Sequence, residues 1–241
     1  MKKKLIDIVI GGRPNFVKIP LLISYLKKLK AVNLRIILTN QHYSFELKKT
    51  FLNSFKIKNI NIINLSTEFK NSVLEISSSY SKIIKKNKPD FVIVLGDMNS
   101  SLGGALAAYE NKIKLGHIES GLRSYDKTMV EETNRILIDQ ISNFLWCTTF
   151  EACENLKSEN VTKNVFFVGN TMIDTLKFYK KKIIDIKNIL NYKIKKNNYI
   201  LLTYHRDFNV DNKNKLSILV KELNKLSKKF VIVFPMHPRT K

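Results

Sequence analysis

The segment from Pro89 to Arg135 reads PDFVIVLGDMNSSLGGALAAYENKIKLGHIESGLRSYDKTMVEETNR and predicts a strand, a helix and a second, parallel strand. The apolar run FVIVLG ends just before Asp97, and the run IKLGHIESG carries His117 and Glu119 near its end. The small apolar segment SLGGALAAYENK between the runs is typical of a crossover helix packed closely on a sheet. Because ligands of open α/β sheets bind at the carboxyl ends of the strands, we expect a functional site here.

Several carboxylates crowd into this span. Glu131 and Glu132 follow at the start of another helical pattern, ETNRILIDQIS, where acidic side chains suit the helix dipole. Asp97, Glu119 and Glu131 are candidates for proton transfer, since such an enzyme needs one group to accept a proton and another to return one. Each also has an ordinary structural explanation, as a helix cap, a solvent-facing strand end or an acid in a first helical turn. Their combination with His117 favours the functional interpretation.

Length and composition bound the class of protein. The chain has 241 residues, 44% of them hydrophobic, which indicates a globular fold large enough to bury a sizeable core. No apolar run is long enough to span a bilayer, and the opening MKKKLIDIVIGGRP lacks the hydrophobic region and cleavage site of a signal peptide. We therefore expect a soluble, cytoplasmic protein. Cys147 and Cys153 form no metal-binding pattern and are expected to be packing residues.

The formal net charge of +22, from 42 Lys and Arg against 20 Asp and Glu, would suit an anionic partner. Lysine is abundant throughout, however, so most of this charge is expected on solvated helix faces. No nucleic-acid-binding motif is present. We predict no nucleic-acid or membrane partner.

The first segment, LIDIVIGGRPNFVKIPLLISYLKKLK, predicts a strand, a glycine-rich turn and one helix. Arg13 and Lys18 are expected near the N-terminus of that helix, where phosphate groups commonly bind, although Lys18 could equally be a surface lysine. The runs LRIILT and INIINL predict two further strands. Asn40, Gln41 and His42 follow the first of these, as a polar loop or as part of the same pocket rim.

The amino-acid composition changes after Gly169. This change predicts two domains, one of residues 1–169 and an incomplete C-terminal domain of residues 170–241. Residues 177–241 carry 17 Lys or Arg against 4 acids, a net of +13. Only two strands, YILLTY and FVIVF, and two helices are predicted there, which is too little to close a sheet. His205 and Arg206 follow the first of these strands. We expect this part to expose apolar surface and an unpaired strand edge.

Seven segments of the chain together resemble the non-hydrolysing UDP-N-acetylglucosamine 2-epimerase family, including its relatives that act on other UDP-2-acetamido sugars. They are GGRPNFVKI, TNQHY, VLGDMNSSLGGALAA, GHIESGLRSYDKTMVEETNR, FFVGNTMIDTL, LLTYHRDFNVDNK and FPMHPRTK. The resemblance extends from residue 5 to the last residue, with the segments in the same order as in the family. The elements GD, HIESGLRS and EETNR are specific to this family. It implies an α/β, GT-B-type architecture of two Rossmann-like halves, an isomerase that needs neither a nicotinamide nor a metal, and a homodimer of the complete enzyme.

The same resemblance implies roles for nine residues. Four are expected to be catalytic: Asp97, Glu119, Glu131 and His205. Five are expected to bind the UDP-sugar: Arg13, Lys18, His117, Arg123 and Arg206. The implied reaction interconverts UDP-N-acetylglucosamine and UDP-N-acetylmannosamine by anti elimination of UDP to 2-acetamidoglucal and re-addition of UDP with the opposite configuration at C2.

The sequence also departs from the family pattern. Gly12 stands where many members have threonine, Asn15 where many have glutamate, and Val130 where a proline commonly precedes the paired glutamates. The missing proline predicts a looser loop before Glu131. The family's serine-glycine-glycine loop and the glutamate that bind UDP have no counterpart before Lys241, so we expect weak nucleotide binding and very low or absent epimerisation by this chain alone.

Four alternatives stay open at this point. The chain could be an epimerase of another UDP-2-acetamido sugar, or a hydrolysing relative that releases UDP and free N-acetylmannosamine. It could also be a non-catalytic fragment, or a basic module that binds nucleic acid with a steep salt dependence.

Overall fold

The computed structural model describes residues 3–39, 60–65, 72–184, 194, 198–204, 207–236 and 240, without the side chains of residues 13, 181–184, 207 and 208. The chain divides into two compact units, unit 1 (Met1–Phe178) and unit 2 (Tyr179–Lys241). Each unit contains one sheet.

Unit 1 alternates strands with helices. Its strands are β1 (Lys4–Ile10), β2 (Val32–Leu38), β3 (Asn61–Asn64), β4 (Phe91–Leu95), β5 (Lys114–Ser120), β6 (Phe144–Cys147) and β7 (Val165–Phe167). Its helices are α1 (Arg13–Lys18), α2 (Pro20–Lys28), α3 (Val73–Lys86), α4 (Asn99–Glu110), α5 (Val130–Ile141) and α6 (Phe150–Ser158), and α7 (Thr171–Ile184) continues into unit 2. The strands and the crossover helix predicted between Pro89 and Ser120 are confirmed.

The seven strands formed by the described residues of unit 1 are parallel, in the order β3-β2-β1-β4-β5-β6-β7. The direction of winding changes between β1 and β4, and the carboxyl ends of β1, β4 and β5 therefore meet at one edge of the sheet. In doubly wound folds this is the position at which a crevice opens for ligands.

Helices cover both faces of the sheet because side chains of the central strands alternate between two apolar cores. Ile8 and Ile10 of β1 belong to the core that includes Phe16, Ile19 and Ile23. The other core contains Val9 of β1 together with side chains of α3, α4 and α5: Ile76, Tyr80, Ala105 and Ile138. A smaller cluster around α6 contains Cys147, whose burial raises the pKa of its thiol to about 12, in keeping with a packing role.

A buried polar cluster is enclosed beside the second core. The carboxylate of Asp7 accepts hydrogen bonds from Arg35 Nε at 2.8 Å, Arg35 Nη2 at 2.6 Å and the Tyr80 hydroxyl at 2.6 Å. Asp7 and Arg35 are opposite each other in the register of β1 and β2. Burial, followed by the negative charge of Asp7, raises the pKa of Tyr80 well above its ordinary value, so the phenol stays a donor. The cluster joins two strands to α3.

The structure differs from the sequence prediction at the first helix. The predicted single helix is divided into α1 and α2, and α2 begins at Pro20. Proline has no backbone N–H and its ring crowds the preceding turn, so a helix cannot continue through it undisturbed. Lys18 is consequently the last residue of α1 and lies two residues before α2 begins, and it is not part of one continuous helix as predicted.

Unit 2 contains a sheet of two parallel strands, β8 (Tyr199–Leu201) and β9 (Val231–Val233), and the helices α8 (Asp207–Val210) and α9 (Lys213–Leu226). Helix α8 was not predicted. Among the residues of unit 2 whose burial is described, only Val210 is buried. The predicted exposure of apolar surface is confirmed at Tyr199, Leu201, Ile218, Val220, Leu226, Phe230, Val231 and Met236.

Three predictions fall outside the described residues. They are a helical stretch from Ser44 to Phe55, which the sequence also predicts, the polar loop of Asn40, Gln41 and His42, and the positions of His205 and Arg206. None of the described helices combines the length and the hydropathy of a membrane span.

Candidate active site

Two polar segments come together at the carboxyl edge of the unit 1 sheet, one after β4 and one at the end of β5. Gly96 follows β4 with a φ of +64°, and its N–H donates to the Ile118 carbonyl of β5 at 2.9 Å. A Cβ at Gly96 would lie 3.2 Å from both Lys18 Nζ and Glu119 Oε2. Glycine therefore provides the left-handed turn and the space in which the two charged side chains lie beside Asp97.

Glu119 occupies an unusual backbone position. In the pairing of β5 with β6, Ile118 is opposite Trp146 and Ser120 is opposite Cys147, so Glu119 is the extra residue of a β-bulge. Its φ is +71°, a left-handed conformation that costs a non-glycine residue about 1 to 3 kcal/mol. Bulges beside active sites redirect a side chain, and strain that is retained at a polar strand end is typical of functional positions.

The Glu119 carboxylate is paired with Lys18. Lys18 Nζ lies 2.5 Å from Glu119 Oε2, and the two side chains are only 9% and 12% exposed. A buried charged group is retained in a protein only when it has a partner of opposite charge, and each of these two side chains provides that partner for the other. The lysine ammonium has two further N–H groups that can reach a ligand.

Asp97 is held by a different cation. Its carboxylate accepts a hydrogen bond from Arg135 Nη2, and its backbone carbonyl accepts one from Asn134 Nδ2 at 2.9 Å. Both donors belong to α5. The Asp97 side chain remains 29% exposed, so solvent or a ligand can reach it. The site thus contains two carboxylates on neighbouring strand ends, each fixed by its own basic partner.

Glu131 and Glu132 are neighbours in sequence but differ in structure. Glu131 is exposed in the first turn of α5 and makes no hydrogen bond or ion pair with the described residues. It is four residues before Arg135, and residues at that spacing are neighbours on the surface of a helix. Glu132 is buried and accepts hydrogen bonds from Ser124 N at 2.9 Å, Tyr125 N at 3.0 Å and Arg135 Nη1 at 2.8 Å.

Glu132 therefore anchors the loop that joins β5 to α5. This is the loop for which the absence of a proline at position 130 predicts a looser conformation. Burial opposes ionisation of Glu132, but the N–H groups of Ser124 and Tyr125 and the charge of Arg135 lower the pKa of its carboxyl. A lowered folded-state pKa stabilises the protein above the unfolded value of about 4.3, and this stabilisation disappears as the pH falls through the folded-state pKa.

We expect Glu132→Gln to lower the free energy of unfolding by about 1 to 3 kcal/mol at neutral pH, because an amide cannot accept all three hydrogen bonds. The difference from the unmodified chain should shrink as the pH falls through the lowered folded-state pKa of Glu132, and it should vanish below that pKa, where Glu132 is protonated in both states. Urea denaturation followed by the fluorescence of the single tryptophan, Trp146 of unit 1, measures both values. Glu131→Gln is the matched control and should leave the denaturation midpoint unchanged. Equal effects of the two variants would contradict the anchoring role of Glu132.

A second network lies beneath the two carboxylates. His117 is fully buried, with Nδ1 2.7 Å from Asp139 Oδ1 and Nε2 3.0 Å from the Gly96 carbonyl. Asp139 Oδ2 accepts from Arg123 Nη1 at 2.8 Å and from Gly121 N at 3.0 Å. Burial opposes ionisation of Asp139, but the charge and hydrogen bond of His117, and then those of Arg123, hold the pKa of its carboxyl below the ordinary value.

Arg123 completes this network. Its Nε and Nη2 bind the two oxygens of Glu159 at 2.7 and 2.6 Å, and Nη1 also donates to the Leu122 carbonyl at 2.8 Å. All nitrogens of the guanidinium are thus bonded to protein, and the side chain is 1% exposed. His117 and Arg123 were both expected to bind the substrate, and the structure places them below the site, where every polar side-chain atom is occupied.

The end of β1 adds a polar anchor at the change of winding. Asn15 Oδ1 accepts from Gly11 N at 3.0 Å, and Asn15 Nδ2 donates to the Leu95 carbonyl at the end of β4 at 3.1 Å. A Cβ at Gly12 would come within 2.6 Å of Met98 Cε, so the methionine side chain occupies the space next to this glycine. The two departures from the family pattern at positions 12 and 15 are thus accommodated by local contacts. Arg13 begins α1 at this same edge.

Three residues of the site were not predicted: Arg135, Asn134 and Asp139. The motif EETNR contains the first two, but only their hydrogen bonds to Asp97 distinguish them from surface residues of α5. Asp139 offered no signal, because it continues an ordinary helical pattern.

Comparison with known proteins assigns the chain to a family. The family model for UDP-N-acetylglucosamine 2-epimerase matches residues 24–241. The chain belongs to the UDP-N-acetylglucosamine 2-epimerase family. The resemblance noted in the sequence is confirmed.

Individual members of this family match almost the whole chain. The UDP-N-acetylglucosamine 2-epimerase of Methanococcus maripaludis is 43% identical, over 98% of this chain and 66% of its own length. The UDP-2,3-diacetamido-2,3-dideoxy-D-glucuronate 2-epimerase of Pseudomonas aeruginosa is 32% identical, over 97% of this chain and 66% of its own length. The crystal structure of Methanocaldococcus jannaschii UDP-GlcNAc 2-epimerase in complex with UDP-GlcNAc and UDP has a TM-score of 0.86 at 36% identity, covering 98% of this chain and 67% of that one.

The chain thus spans about two thirds of the length of these epimerases. The predicted α/β, GT-B-type fold class is confirmed. Within the described residues, no group of three His, Cys, Asp or Glu side chains is arranged to hold a metal ion.

Proposed function

We propose that this chain carries the proton-transfer groups of a UDP-N-acetylglucosamine 2-epimerase, which interconverts UDP-N-acetylglucosamine and UDP-N-acetylmannosamine. The observation that supports this most is the meeting of two carboxylates from neighbouring strands, Glu119 paired with Lys18 and Asp97 paired with Arg135. Inversion at C2 through a planar intermediate requires groups that remove a proton on one face and return one on the other.

The chemistry follows from this requirement. One carboxylate takes the C2 proton while the C1–O bond to UDP breaks, and the electron pair of the C2–H bond forms the C1–C2 double bond of 2-acetamidoglucal. UDP then returns to C1, and a proton is delivered to C2 from the opposite face. Asp97, Glu119 and Glu131 are the proposed acid and base groups, since they belong to neighbouring segments of one edge.

Basic side chains are proposed to stabilise the departing UDP, because negative charge develops on its phosphate oxygen. Lys18 is suited to this role because its ammonium group has N–H donors that are not used in the ion pair with Glu119. Arg13, His205 and Arg206 remain proposed contacts of the nucleotide, with His205 also in the proposed catalytic group. The homodimer and the cytoplasmic location stay predictions.

A chimera tests this proposal. Residues 1–178 of this chain are joined to the residues of the Methanococcus maripaludis relative that follow the aligned position, and the product is incubated with UDP-N-acetylglucosamine in D2O. We expect UDP-N-acetylmannosamine with deuterium at C2, detected by proton NMR, and loss of both signals with Asp97→Asn. The 241-residue chain alone is expected to react far more slowly, because the described part of unit 2 buries so few side chains.

The products separate the alternatives. A hydrolysing enzyme would accumulate UDP and free N-acetylmannosamine in place of the UDP-linked epimer. A chimera with a native-like circular dichroism spectrum and a cooperative thermal transition, yet with no exchange at C2, would contradict the proposal and favour a non-catalytic chain. Rapid epimerisation by the 241-residue chain would contradict the expectation that unit 2 is insufficient.

A second candidate substrate is a UDP-2,3-diacetamido-2,3-dideoxy-glucuronate. It is favoured by the Pseudomonas aeruginosa relative, which matches nearly the whole chain under that name. The same chimera assay with both nucleotide sugars ranks them by kcat/KM, and a higher value for the diacetamido sugar would replace the first proposal.

A further inference from the structure

His117 is the side chain that connects the parts of the site. Its ring is fully buried, and each ring nitrogen faces an oxygen acceptor, the Asp139 carboxylate at Nδ1 and the Gly96 carbonyl at Nε2. Each ring nitrogen therefore has a partner within hydrogen-bond distance, and the ring joins the Asp139 side chain to the Gly96 carbonyl.

Charged groups continue this network. Asp139 lies between His117 and the guanidinium of Arg123, and Arg123 in turn binds Glu159 through two hydrogen bonds. A buried ionic group of this kind is retained only when its hydrogen bonds are satisfied, and here each charged group has at least one charged partner.

The position of the ring connects three elements of the site. His117 is two residues before Glu119 on β5, Gly96 directly precedes Asp97, and Asp139 belongs to α5. Helix α5 also supplies Arg135, which binds the Asp97 carboxylate. One buried side chain thus fixes the distance between the turn of Asp97, the strand of Glu119 and the helix of Arg135.

We infer that His117 is a positioning residue, which sets the separation of Asp97 and Glu119 through the Gly96 carbonyl and Asp139 and makes no contact with the substrate. The catalytic part of this inference rests on the proposed function, since Asp97 and Glu119 are its acid and base groups. A displacement of about 1 Å in such groups can lower a rate about 100-fold.

The geometric part is tested by NMR on the 241-residue chain with labelled histidines, of which there are four. We expect the Nδ1 signal of His117 to shift in Asp139→Asn, because that nitrogen faces the Asp139 side chain. The His117→Gln spectrum identifies the signals. A His117 Nδ1 signal that does not change in Asp139→Asn would overturn the inference.

The amide signals test whether the ring holds the site together. In His117→Gln, which keeps one donor, we expect the largest amide shift changes at Gly96, Asp97 and Glu119, and larger changes at the same residues in His117→Phe. Should the phenylalanine variant not fold, the glutamine and Asp139→Asn variants decide alone. Amide signals of Asp97 and Glu119 that do not move in either variant would overturn the positioning role.

Kinetics of the chimera separate positioning from substrate binding. We expect His117→Gln to lower kcat about 10- to 100-fold with KM within about threefold of the unmodified chimera. Glu154→Gln, at an exposed position outside the network, is the matched control and should leave kcat within about twofold. A raised KM with unchanged kcat would make His117 a substrate contact, and equal kcat losses in both variants would reduce it to a general structural role. An inactive unmodified chimera contradicts the proposed function, while the NMR measurements still decide the position of His117.

Discussion

Glu119→Gln in the chimera should lower kcat for C2 epimerisation about 100- to 10,000-fold while leaving the affinity for UDP-N-acetylglucosamine within about threefold. Glutamine has nearly the shape of glutamate, so the bulge at the end of β5 keeps its geometry. An amide, however, accepts no proton from C2 and gives Lys18 no ionic partner. The variant removes the acid/base function without removing the binding surface.

Deuterium incorporation at C2 measures the rate, and isothermal titration with UDP-N-acetylglucosamine measures the affinity. Glu110→Gln is the matched control, because Glu110 is an exposed acid at the end of α4, at the opposite edge of the sheet. We expect it to leave both quantities unchanged. A Glu119→Gln chimera with kcat within about threefold of the unmodified one would assign Glu119 a structural role.

The second large effect concerns stability. We expect Asp7→Asn to lower the free energy of unfolding by about 3 to 5 kcal/mol, because it leaves the guanidinium of Arg35 buried without its counter-charge. Asp7 is inaccessible to solvent, and the Arg35 side chain is 3% exposed. The hydroxyl of Tyr80 also loses an ionised acceptor.

Urea denaturation monitored at Trp146 measures this change. Glu154→Gln is the control, because the pair of Glu154 with Lys157 is about 70% exposed on both sides and 3.8 Å long, and such pairs contribute little. The triple variant Asp7→Leu, Arg35→Met, Tyr80→Phe should recover much of the loss, since well-packed apolar groups can replace a buried ion pair. A small effect of Asp7→Asn together with no recovery in the triple variant would contradict the role of this cluster.

The contrast between these two groups of residues shows what sequence reasoning could reach. Asp97, Glu119 and Glu131 were found because they follow apolar runs or begin a helical pattern, and both are local properties. Their partners are not local: Lys18 is 101 residues from Glu119, and Arg135 is 38 residues from Asp97. Pattern and propensity carry no information about such pairs, so the sequence predicted Lys18 as a site residue without its pairing to Glu119, and it did not predict Arg135.

By itself the sequence determined the parallel α/β architecture of unit 1 and the edge of the sheet at which the site lies. The alternation of apolar runs with amphipathic segments specifies strands and crossover helices, and parallel strands bring their carboxyl ends to one edge. Tertiary structure alone decided which polar residues face that edge. Glu131 and Glu132 are adjacent, yet one is exposed and the other holds a loop, because a helix turns 100° per residue and only packing selects the buried face. For the same reason His117 and Arg123, predicted to meet the substrate, lie beneath the site with all their hydrogen bonds made to protein.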